Sequence, residues 1–177
     1  QSGHMEAVGY DLYCKMLNSA VKKYKGEEEE KDFETSIDIS INAYIPPDYI
    51  PNEFQKLDIY KRIAAIENEN ESDDMLEELI DRFGEPPRSV MNLLAIANVK
   101  NQAHEVYVTE VSDKGQGIKF TMHERAKVQV EKITDLLNKY QSQLVFKPEA
   151  VPYFVYQEKG NKLKSSKPVL ESVKLVL

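Results

Sequence analysis

Residues 72–87 read Ser-Asp-Asp-Met-Leu-Glu-Glu-Leu-Ile-Asp-Arg-Phe-Gly-Glu-Pro-Pro, and the rest of the chain is organised around them. The order of signals is that of a short amphipathic helix. Ser72 suits an N-cap, and Asp73 and Asp74 place negative charge in the first turn, where the helix dipole favours it. Gly84 suits the left-handed residue that ends a helix, and Pro86 and Pro87 forbid its continuation. Leu76, Leu79, Ile80 and Phe83 recur at three- and four-residue spacing and predict one apolar face. At about 100° per residue, Glu77, Glu78, Asp81 and Arg82 fall on the other side. Glu78, Asp81 and Arg82 are three or four residues apart and form one compact charged patch. The bland reading of that patch is a solvated face with a Glu78–Arg82 helix pair.

Moving outward, residues 52–67 predict a helix opened by Asn52 and Gln55 in a capping-box spacing, with a wide apolar face from Phe54 through Ile66. Residues 67–71 read as a polar link. After Pro87, residues 88–104 predict a further helix with Val90, Leu93, Leu94, Ala97 and Val99 or Ala103 inward. Before these, residues 45–51, Ile-Pro-Pro-Asp-Tyr-Ile-Pro, read as a stiff extended segment, because each proline restricts the residue preceding it. Residues 36–44 alternate apolar and polar, which predicts a strand with one wet face. Residues 6–24 carry a helical stripe with Cys14 at its edge, and the acidic run at 27–30 reads as a solvated connection.

Beyond residue 105 the pattern changes. Residues 106–111 and 118–122 predict a hairpin around Asp113-Lys114-Gly115-Gln116-Gly117. A helix is predicted over 125–140, short strands at 143–146 and 153–156, and a closing helix from Pro168 to Leu177. Residues 160–167 read as a polar loop. Helices and strands without regular alternation predict an α+β fold: a helix-rich first half around one strand, and a second half with a small antiparallel sheet and helices. One domain is expected over residues 6–177, with a helical part at 6–105 and an α+β part at 106–177. Residues 1–5, Gln-Ser-Gly-His-Met, read as a cloning remnant, which removes His4 from any chemistry.

Composition narrows the classes. The 177 residues include 41% hydrophobic and 30% charged, as in a globular protein. Thirty acidic against 23 basic residues give a net charge of −7, which disfavours general phosphate-backbone binding. One cysteine leaves no internal disulfide framework and suits a reducing, cytoplasmic setting. No apolar run reaches the roughly 18 residues of a membrane span, and none has a signal-peptide pattern, so no membrane role is expected.

The search for chemistry returns little. The 113–117 segment lacks the glycine spacing and the Gly-Lys-Ser/Thr ending of a phosphate loop. His104 and His123 are distant in sequence, with no partner at ligand spacing, so no metal is expected. No Gly-x-Ser-x-Gly elbow is present, and no catalytic residue or cofactor is expected in this chain. Lys159, Lys162, Lys164 and Lys167, near Tyr153 and Tyr156, are the local hint of nucleic acid.

Two blocks carry a resemblance. One is Ile45-Pro46-Pro47-Asp48-Tyr49-Ile50-Pro51 followed by Leu57 and Tyr60-Lys61-Arg62-Ile63-Ala64. The other is Glu78-Leu79-Ile80-Asp81-Arg82-Phe83-Gly84 with Pro87, and Val8-Gly9-Tyr10-Asp11-Leu12-Tyr13 agrees with them. Together they resemble the C-terminal domain of the bacterial transcription-repair coupling factor (Mfd, TRCF) family. The resemblance runs from residue 8 to about 97 and becomes vague from 106 onward. It implies a parent protein that is an ATP-driven DNA translocase using ATP and Mg, acting on stalled RNA polymerase and recruiting UvrA in nucleotide excision repair. It implies that this domain is no enzyme but a regulatory module. Such a module docks on the parent's own UvrB-like N-terminal module and masks UvrA recruitment until the motor engages. Glu78, Asp81 and Arg82 stand at the positions of that contact. The alternative is an accessory domain that contacts nucleic acid through residues 159–167.

Overall fold

The structure, a computed structural model, describes residues 33–177. The helix expected at 6–24, Cys14, the acidic run at 27–30 and the 8–13 block lie outside the described residues. The described chain forms two compact units: Ile41–Asn98, and Phe33–Ser40 together with Val99–Leu177.

The first unit is helical. Helix α1 spans Glu53–Ala64, α2 spans Glu69–Phe83, and α3, Arg88–Glu105, contributes its first three turns here. Asn52 caps α1 as its spacing predicts, accepting from the Gln55 N–H at 3.0 Å. The buried side of α1 is Ile59, Tyr60, Ile63 and Ala64, but Phe54 is 86% exposed. Nine residues at about 100° each put Phe54 half a turn from Ile63, so the wide face expected of this helix was too wide. Residues 45–51 are not extended throughout. The N–H groups of Tyr49 and Ile50 donate to the Pro46 carbonyl at 3.1 and 3.2 Å, closing a turn. Pro47, Asp48 and Tyr49 do not precede a proline and are free to turn, and Pro47 brings a φ suited to the first central position of a turn.

Helix α2 begins earlier than Ser72 predicts. Asn68 is the cap, accepting from Glu71 N–H at 2.9 Å, while the Glu71 carboxylate accepts from Glu67 N–H at 2.8 Å. These reciprocal bonds make residues 67–71 the helix entry rather than a link. Ser72 lies buried within the helix, and its hydroxyl accepts from the Asn98 amide at 3.1 Å. The C-terminus is as expected: Gly84 has φ +86°, and its N–H donates to the Ile80 carbonyl at 3.0 Å. The buried stripe is Ser72, Met75 and Leu79, with Leu76 and Phe83 half-buried and Ile80 38% exposed. The predicted face is therefore turned toward Met75, and Ile80 joins the outer side. Helix α3 is buried nearly all round through Val90, Leu93, Leu94, Ile96, Ala97 and Val99.

The second unit holds a five-stranded mixed sheet in the order β1-β2-β3-β5-β4. The strands are β1 (Ser36–Asp38), β2 (Val108–Asp113), β3 (Gly117–Met122), β4 (Leu144–Lys147) and β5 (Tyr153–Gln157). The strand predicted within the helical half instead pairs, in parallel, with β2, Ile37 opposite Val111. It is shorter than its alternation suggests, although odd-numbered residues from Phe33 to Ile45 are consistently the less exposed. The other pairs are antiparallel, and the β2–β3 hairpin forms as predicted. Gly117 is required there: a Cβ would stand 2.6 Å from the Tyr156 carbonyl oxygen. Phe120, Phe154, Ile118 and Met122 are fully buried on the sheet. Helix α4 (Val130–Tyr140) covers β4, adding Ile133 and Leu136, and α5 (Lys162–Lys174) covers β3, adding Leu163, Val169, Leu170 and Val173. Helix α4 starts later than predicted, and α5 starts earlier. Asn161 caps α5 by accepting from Lys164 N–H at 3.0 Å, which turns most of the expected 160–167 loop into helix and puts Pro168 inside it.

Candidate functional site

Two features bring the outer side of α2 into one surface. The two sequence blocks that are separated along the chain meet at its C-terminal end. The Tyr49 hydroxyl donates to the Gly84 carbonyl at 2.8 Å, with the Leu79 carbonyl at 3.3 Å, and its ring lies 5.9 Å from that of Phe83. Burial, then the neighbouring Glu85 carboxylate, push the Tyr49 phenol above its ordinary pKa. Upstream, the Tyr60 hydroxyl accepts from the Ile45 N–H at 2.8 Å, and burial raises its pKa as well. A turn of prolines, α1 and α2 are thus tied together by two tyrosine hydroxyls.

The second feature is a charged junction. Arg62, from α1, grips Glu78 with both terminal nitrogens, Nη1 on Oε2 and Nη2 on Oε1, the latter at 2.7 Å. Glu78 Oε2 also accepts from Arg82 Nη1 at 2.9 Å. One carboxylate therefore stands between two guanidiniums. Hydrogen bonding from Arg62 is the main reason its pKa falls to about 2, with Arg82 adding to the same effect. Glu78 in return raises the pKa of Arg62. Arg62 also has Asp58 one turn earlier on α1, at 4.0 Å. The Arg82 guanidinium sits 4.9 Å from the centre of the Phe83 ring. Asp81 is exposed, with no ion pair or hydrogen bond among the described residues. Beside the junction lies a concavity of about 300 Å³ lined by Ala65, Ile66, Met75, Glu71 and Asp74 together with Arg62 and Glu78.

The helical wheel thus groups Glu78, Asp81 and Arg82 correctly in space, on the exposed side of α2. Of the three, Glu78 and Arg82 are paired with each other, and Asp81 stands apart. Sequence reasoning missed Arg62, which lies 16 residues from its partner and on another helix. Seven carboxylates and one arginine on α2 were the available signal that a cation from elsewhere would be drawn in.

The basic residues 159–167 look different once folded. Lys162 is spent within the unit, paired with Asp113 and donating to the Gly115 carbonyl at 2.9 Å. Pairing with Lys162 depresses the Asp113 pKa. Lys159 and Lys164 are exposed. The fold also assembles something unforeseen from the two histidines: the rings of His104 and His123 lie 4.5 and 4.8 Å from that of Phe33. His104 Nδ1 is 3.2 Å from the Thr35 hydroxyl, and His123 Nδ1 accepts from Arg125 N–H at 3.0 Å. Among the described residues no group of three or more His, Cys, Asp or Glu is placed to hold a metal ion. No described helix is long and apolar enough to cross a membrane.

Comparison with known proteins gives this geometry a lineage. The family model described as TRCF domain matches residues 39–133, which include both blocks and the charged junction. The chain belongs to the TRCF domain family. Its curated relatives are transcription-repair-coupling factors. That of Bacillus subtilis is 35% identical over 147 residues, 81% of this chain, and that of Staphylococcus haemolyticus is 39% identical over 132 residues, 73% of it. The chain spans only 12% and 11% of the length of those relatives. A solved structure titled as the C-terminal domain of transcription-repair coupling factor matches with a TM-score of 0.73 and 26% identity, covering 84% of this chain and 97% of that one. The TRCF likeness therefore extends into the part of the chain where residue-level resemblance fades, and the α+β architecture is that of a TRCF C-terminal domain.

Proposed function

We propose that this chain is a non-catalytic docking module that holds a transcription-repair coupling factor in a closed state. Its partner is the UvrB-like N-terminal module of the same parent protein, and docking masks the surface that recruits UvrA. The observation that carries this reading is the exposed ridge of α2, where Asp81 and Arg82 stand accessible beside a braced Glu78. Charges of both signs at fixed positions specify register and reject wrong partners more than they add raw affinity. That suits a contact which must also release, since couplings of this kind are typically about 1–3 kcal/mol. Under the same reading the parent is a cytoplasmic, ATP- and Mg-dependent DNA translocase, and RNA polymerase and DNA are met by other parts of it.

The test is capture of the isolated UvrB-like module by this chain, with Asp81→Lys and Arg82→Ala as variants. Both substitutions are on exposed residues and should leave the thermal unfolding of the domain nearly unchanged. Weakened capture is the expected result, and undiminished capture by both variants removes the site assignment. The nucleic-acid alternative has less support, because Lys162 is engaged with Asp113. Salt-dependent retardation of DNA by this chain would restore it.

A further inference from the structure

We propose that Arg62 is a positioning residue of the α2 ridge: it clamps Glu78 from the neighbouring helix so that Glu78 in turn holds Arg82. The proposal rests on the docking reading above. Its basis is the division of labour at one carboxylate. Arg62 uses two nitrogens on two different oxygens, a planar fork that fixes the orientation of the carboxylate as well as its place. Oε2, already engaged by Arg62 Nη1, accepts a second bond from Arg82 Nη1 at 2.9 Å. In that orientation the Arg82 guanidinium reaches Oε2 while also lying 4.9 Å from the centre of the Phe83 ring. Phe83 is in turn braced by Tyr49. Arg82 is therefore a long, flexible side chain held at two points, and one of them depends on Arg62.

The charge count points the same way. Arg62, Glu78, Asp81 and Arg82 together carry no net charge, and among the described residues Asp81 is the member of the four with no ion pair. Removing Arg62 leaves Glu78 free to swing on its own rotamers and Arg82 free to follow it. A partner would then have to order those groups at the moment of docking, which lowers affinity without removing any group that touches it. Lysine would not replace Arg62, because a single ammonium supplies the charge without the fork.

The experiment has two arms. In the free domain, the Nε–Hε resonance of Arg82 is followed by nitrogen-proton NMR in the unmodified chain, in Arg62→Lys and in Glu78→Gln. The Arg82 signal is expected to be ordered in the first and averaged toward that of a free arginine in both variants. In the second arm, capture of the partner module is expected to fall about tenfold with Arg62→Lys, and the double variant with Glu78→Gln to fall no further than Glu78→Gln alone. An Arg82 resonance unmoved by Arg62→Lys, with capture intact, overturns the positioning role. Failure of the unmodified chain to capture the module overturns the docking reading instead, and the NMR arm then decides the role of Arg62 without it.

Discussion

Glu78 is the residue whose titration should be visible in the stability of the domain. Its folded pKa of about 2 lies below the ordinary glutamate value, so its ionised form is favoured by folding. A depressed carboxylate adds stability that is fully present above the unfolded pKa, near 4.3, and is lost as pH falls through the folded value. The loss should therefore run from about pH 4.5 down to about pH 2. The Glu78 side chain is 33% exposed and its partners more so, and solvent screening reduces the whole contribution to about 1 kcal/mol. Glu78→Gln should lower stability by that amount at pH 7 and show no such acid-side decline at this site, as denaturant unfolding at pH 7, 4 and 2.5 would reveal. Equal differences between the two proteins at all three pH values would show that Glu78 is not held by its arginines.

At the scale of elements, the caps and stripes explain both what could be read from the chain and what could not. Periodicity was legible wherever one face is buried: the α3 positions Val90, Leu93, Leu94 and Ala97 are all inside, as predicted. The start of α2, read at Ser72, was not. Asn68 and Ser72 are equivalent start signals, and only the folded chain shows that Ser72 is needed inward, against Asn98. The consequence is testable. Asn68→Ala should cost about 1 kcal/mol of stability through loss of the α2 cap. Phe54→Ala, despite removing an aromatic ring from α1, should cost less than about 0.5 kcal/mol, because Phe54 is 86% exposed. Leu79→Ala should cost about 2–5 kcal/mol, since that side chain is fully buried on α2. A thermal melt series that ranked Phe54→Ala above Asn68→Ala would contradict the helix orientations described here. Long-range pairings were beyond sequence reading for a plain reason: β1 meets β2 more than 70 residues on, and Arg62 reaches a different helix, and neither leaves a local periodic trace.

Across the whole chain, charge is divided unevenly between the two units. Residues 41–98 hold 12 carboxylates against five arginines and lysines, whereas residues 33–40 and 99–177 hold 11 against 13. The overall charge of −7 is thus concentrated where the α2 ridge stands, and the composition alone hid that. On the docking reading, an acidic unit would attract a cationic partner surface over distances comparable to the screening length, which is about 8 Å at physiological salt. Long-range attraction of this kind governs how fast partners meet, while the specific ridge contacts govern how long they stay. The two contributions should separate with salt. Raising ionic strength from 50 to 500 mM should slow association of the docked pair by about tenfold or more, with a much smaller change in dissociation, as surface plasmon resonance would measure. Arg62→Lys should instead speed dissociation and leave the salt dependence of association in place, because it keeps the charge and loosens only the geometry. If association proved indifferent to salt, the acidic face of α2 would not be what the partner approaches, and the docking surface would have to be sought on the other unit.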